Sequence, residues 1–260
     1  MKLLTLACLP LLLLPALANA QSSSSEYSQS YGILMKGVVA GSERFTEKTT
    51  DSGNLVSTSD HEIFVTDGLE TKRMAFSTRM VLAKSTGLPT SYAYKYSTGA
   101  AGDSYEVAVN NGRISRSLTR GGNTNEVNVA VPQNFIILDF NVYHQYDYLI
   151  RRYDSKQGGR QIFADFVPLI GTDIPVAVTF LGTADLASPQ GVIPARNFKV
   201  EFVGIWGGSL FVDKEGRLLR LLIPAQDLEV VRSDLLPAPE TKTEKSGEEN
   251  PPEPPKLEIN

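Results

Sequence analysis

The stretch YEVAVNNGRI, residues 105–114, decides the architecture. Tyr105, Val107 and Val109 alternate with Glu106, Ala108 and Asn110, so an extended chain has one apolar and one polar face, the period of a half-buried strand. Asn111-Gly112 then supplies two residues that accept positive φ, as a type I′ turn requires, and Arg113-Ile114 starts the return strand. The reading is a β-hairpin with a two-residue turn.

The same period recurs on both sides of this hairpin. In RMAFSTRMVLAK, residues 73–84, Met74, Phe76, Met80 and Leu82 share a parity interrupted by Thr78, and Tyr92, Tyr94 and Tyr96 do so in SYAYKYS. Further strands are marked by Val127, Val129 and Val131, by Val176, Val178 and Phe180, and by Phe198, Val200 and Phe202 against Asn197, Lys199 and Glu201. Asp213-Lys214-Glu215-Gly216 forms a four-residue hairpin loop between SLFV and RLLRLLIP. Turn signals at Asp51-Ser52-Gly53-Asn54, Asp67-Gly68, Gly121-Gly122 and Gly207-Gly208 keep the connections short. Consecutive strands with short turns favour an antiparallel meander over β-α-β units.

One helix is expected. In DFNVYHQYDYLIRRYD, residues 139–154, Val142, Tyr146, Leu149, Ile150 and Tyr153 form a stripe at helical spacing; Asp139 or Asn141 can cap its start, and Arg151 and Arg152 suit its last turns. The fold class is therefore mainly β: a strongly curved antiparallel meander or half-barrel packed on one central helix at about 139–155.

The ends read differently. Residues 1–20, MKLLTLACLPLLLLPALANA, have a basic start, a short apolar run and a small-x-small ending, the pattern of a cleaved secretory signal peptide. The single cysteine, Cys8, lies in that leader, so the mature chain has no thiol for a disulfide, a metal or catalysis. Residues 21–30 read as a Ser-rich linker, residues 31–236 as a single β domain, and residues 237–260 as a disordered Pro/Glu/Lys tail. The localisation expected is export, to the periplasm or outside the cell. The net charge of −4 gives no case for nucleic acid, and nothing after the leader is long and apolar enough to be an integral membrane helix.

Chemistry is sparse. His144, Asp147 and Arg151 fall at i, i+3 and i+7 on the expected helix, where Asp147 could orient His144 as a base and Arg151 could hold an anion. The competing reading is a solvated ion-pair row. His61 sits at a strand start as a turn or surface residue. The two histidines lack metal-ligand spacing, no serine has a nucleophile motif, and the glycine pairs are turns, so no metal or cofactor is expected. Phe76, Tyr92, Tyr94, Tyr96 and Phe202 are the candidate ligand-binding residues: an aromatic stripe can line a cavity for a lipid or other amphipathic envelope ligand, or simply stabilise the sheet.

Val192–Phe202 and Ser209–Pro224, with the Asp213-x-x-Gly216-Arg217-Leu218-Leu219 hairpin, resemble a late segment of a family of uncharacterised exported bacterial β proteins. The resemblance implies export and brings no catalytic residues. The architecture is also similar to the lipoprotein carriers and receptors of the envelope (Lol-type half-barrels), in which a curved sheet leaves an apolar cavity; those proteins use more helix than this chain offers. The expected role is an exported, non-enzymatic protein that binds an apolar or amphipathic ligand or acts as an envelope scaffold. The alternative is a hydrolase of an envelope polymer using His144 and Asp147.

Overall fold

The computed structural model describes residues 26–67, 70–97 and 102–237. The signal peptide, residues 21–25 of the linker, Gly68 of one expected turn and nearly all of the tail lie outside these residues. Fifteen strands, one α-helix and two single 3₁₀ turns follow in order. The first eight strands are β1 (Glu26–Met35), β2 (Val38–Thr49), β3 (Leu55–Asp67), β4 (Glu70–Leu82), β5 (Pro89–Tyr96), β6 (Ser104–Asn110), β7 (Arg113–Arg120) and β8 (Asn123–Ala130). The short β9 (Phe135–Ile136) precedes the helix α1 (Gln145–Arg151). After it come β10 (Arg160–Val167), β11 (Thr172–Ser188), β12 (Gly191–Phe202), β13 (Trp206–Val212), β14 (Leu218–Ile223) and β15 (Leu228–Arg232).

The strands take the hydrogen-bonded order β8-β7-β6-β5-β4-β3-β2-β1-β15-β14-β13-β12-β11-β10-β9. The fold is a large, open antiparallel sheet, not a closed barrel, with one helical element. The β9–β10 pair is parallel. Strands adjacent in sequence pair, except β8 and β9; most of these pairs are joined by short turns, while the segment from β9 to β10 carries the helix. Asn111 and Gly112 take φ of 50° and 70°, and the register on either side runs unbroken from Asn110↔Arg113 to Ser104↔Thr119.

The chain divides between two compact units. The first takes in the chain to Ser30, Ser42–Val142 and Phe163–Ile174; the second takes in Tyr31–Gly41, Tyr143–Ile162 and the chain from Pro175. Strands β1, β2, β10 and β11 have residues in both. The first unit buries Phe45, Phe76, Met80, Tyr92 and Ile114, and the second Tyr31, Leu149, Phe198, Leu210 and Leu218. Among the described residues no helix is long and apolar enough to cross a membrane.

Three local expectations are corrected. Glu26–Ser30, assigned by composition to the linker, begin β1, where Lys48 meets Glu26 at 2.8 Å. The helix spans seven residues, not 139–155. Asn141 takes φ of 63° and the Asp139 carboxylate accepts the Phe140 N–H at 2.9 Å, so the start of the stretch is a turn and neither residue caps the helix. Gly207-Gly208 lie inside β13, and the turn falls at Val203-Gly204-Ile205. A Cβ on Gly208 would sit 2.3 Å from the carbonyl oxygen of Leu222, so the glycine permits close approach of a neighbouring backbone.

Gly208→Ala therefore forces β13 and β14 apart and should cost about 1–3 kcal/mol. Gly207→Ala, whose Cβ would have its nearest neighbours at 3.6 Å, should stay within about 0.5 kcal/mol of wild type. Urea unfolding of the two variants measures the difference.

Candidate functional site

The strands of the first unit carry two different faces. Alternation puts Ser57, Ser59 and His61 on the buried face of β3, Phe76, Thr78 and Met80 on that of β4, and Tyr92 on that of β5. Cross-strand register then aligns Ser59 with Thr78, and Thr78 with Tyr94 and Tyr105 in turn. The rings form a diagonal ladder. His61 stacks on Phe76 at 4.2 Å, Phe76 on Tyr94 at 5.0 Å, and Tyr94 on Tyr105 at 4.6 Å between ring centres. Such pairs contribute roughly 0.5–1.5 kcal/mol each beyond the area they bury.

Asp139 closes the ladder. Its Oδ2 accepts the Tyr92 hydroxyl at 2.6 Å and also the Tyr105 hydroxyl. Burial raises the Asp139 carboxyl to about 6, opposed by the hydrogen bonds from Tyr105, Tyr92 and the Phe140 N–H. Burial also raises both Tyr94 and Tyr105, with Asp139 adding to the effect as a nearby negative charge. Asp165, fully enclosed, accepts the Leu138 N–H at 2.6 Å through Oδ1, and burial pushes its carboxyl well above the ordinary range.

At the other end of the ladder, the Ser59 hydroxyl lies 2.7 Å from His61 Nε2 and 2.6 Å from Thr78 Oγ1. Glu43 Oε1 stands 3.9 Å from that same nitrogen. In a Ser-His-acid triad the carboxylate must hold the ring nitrogen that faces away from the hydroxyl. Here both face Nε2, and Ser59, His61 and Glu43 are all buried. The group is a polar knot inside the sheet. His61, expected at a turn or the surface, is 4% exposed and lies within β3. Its signal was Thr78: a hydroxyl interrupting an apolar parity marks a buried face that holds polar partners.

The helix residues belong to the second unit. Asp147 accepts the Leu218 N–H at 2.7 Å and the Arg217 Nη1 at 3.3 Å, and Arg151 Nη2 stands 3.9 Å away. His144 packs edge-on to Tyr148 at 5.9 Å. With Asp147 0% and His144 1% exposed, this face is no solvated row, and Asp147 is engaged by the start of β14. Phe202 also belongs to this unit, where it stacks on Trp206 at 4.4 Å. Phe76 and Tyr92 are buried in the first unit, and Tyr94 and Tyr96 are half-buried there. Among the described residues no group of three or more His, Cys, Asp or Glu is placed to hold a metal ion.

The opposite, polar face of β4–β8 carries a cavity of about 550 Å³. Ser91, Ala93, Ala108, Ser115 and Ser117 give it a floor of small side chains. Arg79, Glu106, Glu126 and Asn128 stand along it, the first three in one cross-strand row through Ala93 and Ser117. Tyr92 lines it from the strand that also carries the ladder. Sequence reasoning missed this site, because five small residues from three strands become neighbours only through register.

No protein-family model and no curated protein matches the sequence. Among solved structures the chain is similar to a β-barrel-like protein of a domain of unknown function, DUF1849, from Brucella abortus, with a TM-score of 0.55 over 82% of this chain and 96% of that one. The likeness is one of fold. At 9% identity it transfers no residue and no activity. It places the chain beside an uncharacterised bacterial β protein.

The raised Asp139 gives a pH signature. Its folded value of about 6 exceeds the ordinary 3.8, so the native state binds the proton more tightly between these values. The stabilisation is complete below the ordinary value and is lost as pH rises through about 6. Asp139→Asn should flatten the change in unfolding free energy between acidic and neutral pH by on the order of 3 kcal/mol, read from urea midpoints across that range.

Proposed function

We propose that this protein is an exported, non-enzymatic cell-envelope protein with a binding or scaffold role, and that it takes an amphipathic ligand in the polar-face cavity of β4–β8. The observation that carries the reading is the contrast between the two faces. The aromatic face is occupied by its own rings, closed by Asp139, while the polar face has about 550 Å³ of space over small side chains. Alanines and serine methylenes offer apolar contact, and Arg79, Glu106 and Glu126 offer charge at fixed positions, the mixture an amphipathic molecule requires.

The envelope setting rests on the secretory pattern of residues 1–20. Carriage in the manner of the Lol-type proteins would draw on an apolar cavity lined by Phe76, Tyr94 and Phe202. Those residues are absent from the lining of this cavity, so the ligand inferred is amphipathic, not wholly apolar. The hydrolase alternative needs Asp147 to orient His144. The bonds from Leu218 and Arg217 to Asp147 favour binding over that reading.

Ala108→Trp fills the cavity floor from a position on the polar face. Native mass spectrometry with solvent extraction, applied to protein purified from its own envelope, should find an amphipathic molecule on wild type. Retention should fall at least about tenfold in the variant at an unchanged circular dichroism spectrum, a loss of roughly 1.4 kcal/mol in binding. Wild type that carries nothing, or equal retention by both, contradicts the proposal.

A further inference from the structure

Among the described residues β8 ends the sheet order and pairs with β7 alone. Its register runs from Arg113↔Ala130 to Arg120↔Asn123 without a bulge, and every residue in it is exposed or half-buried. Sheets usually guard such an edge with Lys, Pro, a bulge or a very short strand, because outward main-chain groups otherwise pair with another chain. β8 is eight residues, NTNEVNVA, with no Lys, no Pro and Glu126 as its one charge.

The direction of those groups follows from the hairpin. A two-residue loop, Gly121-Gly122, closes onto Arg120↔Asn123, and at the far end Val131 N donates to Gly112 O at 2.9 Å. Bonded residues alternate in an antiparallel ladder, so odd-numbered residues of β8 bond to β7. Thr124, Glu126, Asn128 and Ala130 therefore turn N–H and C=O outward. Arg113 reaches round to this edge, donating Nη2 to the Asn128 carbonyl at 3.1 Å and Nε to its side-chain oxygen at 2.6 Å. Arg113 has no carboxylate within ion-pair distance among the described residues.

We propose that β8 is a homodimerisation edge, on which two copies of the chain pair antiparallel about a twofold axis at Val127. That register sets Glu126 against Asn128 of the second copy, beside that copy's Arg113, so the edge's one charge meets a cation that has no carboxylate of its own. The outward groups of Thr124, Glu126, Asn128 and Ala130 then form about eight main-chain hydrogen bonds across the axis, the Asn128 carbonyl accepting with its second lone pair beside the bond from Arg113. Centring the axis at Glu126 instead opposes two carboxylates, which selects the Val127 register. A second copy is the occupant argued because its edge matches in length, in the phase of its outward groups and in charge.

Sedimentation velocity of the full chain from about 1 μM to about 1 mM should show a monomer–dimer equilibrium. Asn128→Pro removes an outward N–H that β7 does not use, and should weaken the dimer at least about tenfold while leaving the monomer folded. Glu126→Arg should also weaken it, and adding Arg113→Glu should restore it; this rescue keeps the test alive if the proline variant does not fold. A monomer throughout the range, or a dimer indifferent to these substitutions, overturns the proposal.

Discussion

A carboxylate removed from water must be met by donors or take up a proton, and three aspartates in the middle of this chain set that constraint for the structure around them. Asp139 is met by two tyrosine hydroxyls, Asp147 by the Leu218 N–H and Arg217, and Asp165 by the Leu138 N–H. Each contact joins segments distant in sequence. The helix shows the consequence: seven residues are too few to be stable alone, so it depends on its buried stripe and on the bond from Asp147 to the start of β14.

This constraint also sorts the chemistry. Two groups that resemble catalytic constellations by residue type are occupied in holding backbone or one another: Ser59 lies between His61 and Thr78, and Asp147 between Leu218 and Arg217. A nucleophile or base needs a free hydrogen-bonding position toward solvent or substrate. The side chains that do stand in the open, Arg79, Glu106 and Glu126, lie over a floor of alanine and serine side chains and present charge at fixed positions.

Much of this architecture was legible in the chain. Asn111-Gly112 between alternating strands named its hairpin because only a few residue pairs accept two consecutive positive φ angles, and period two named the neighbouring strands. The helix was read too long because polar and apolar residues at 139–144 fit a helical stripe equally well; the left-handed Asn141 that breaks it leaves no mark in periodicity. His61 was misplaced because burial of a polar residue depends on partners such as Ser59 and Thr78, the latter nineteen residues away. Gly208 was read as a turn because a glycine needed for close approach looks the same in sequence as one needed for positive φ. The aromatic stripe was read correctly as one face of β5, but whether a face is filled or open is a property of the rings packed on it, as Phe76 and Tyr105 show. Phe202 was grouped with that stripe as an aromatic on another alternating strand, and the structure gives it Trp206 in the other unit.

Buried aspartates act as acceptors that hold the backbone, and the amides of Leu138 and Leu218 report on this role. Residue-resolved hydrogen exchange under native conditions should find both amides exchanging only with global unfolding, since each is enclosed and bonded to a carboxylate. Exchange of either amide at the rate of an exposed loop would contradict the account.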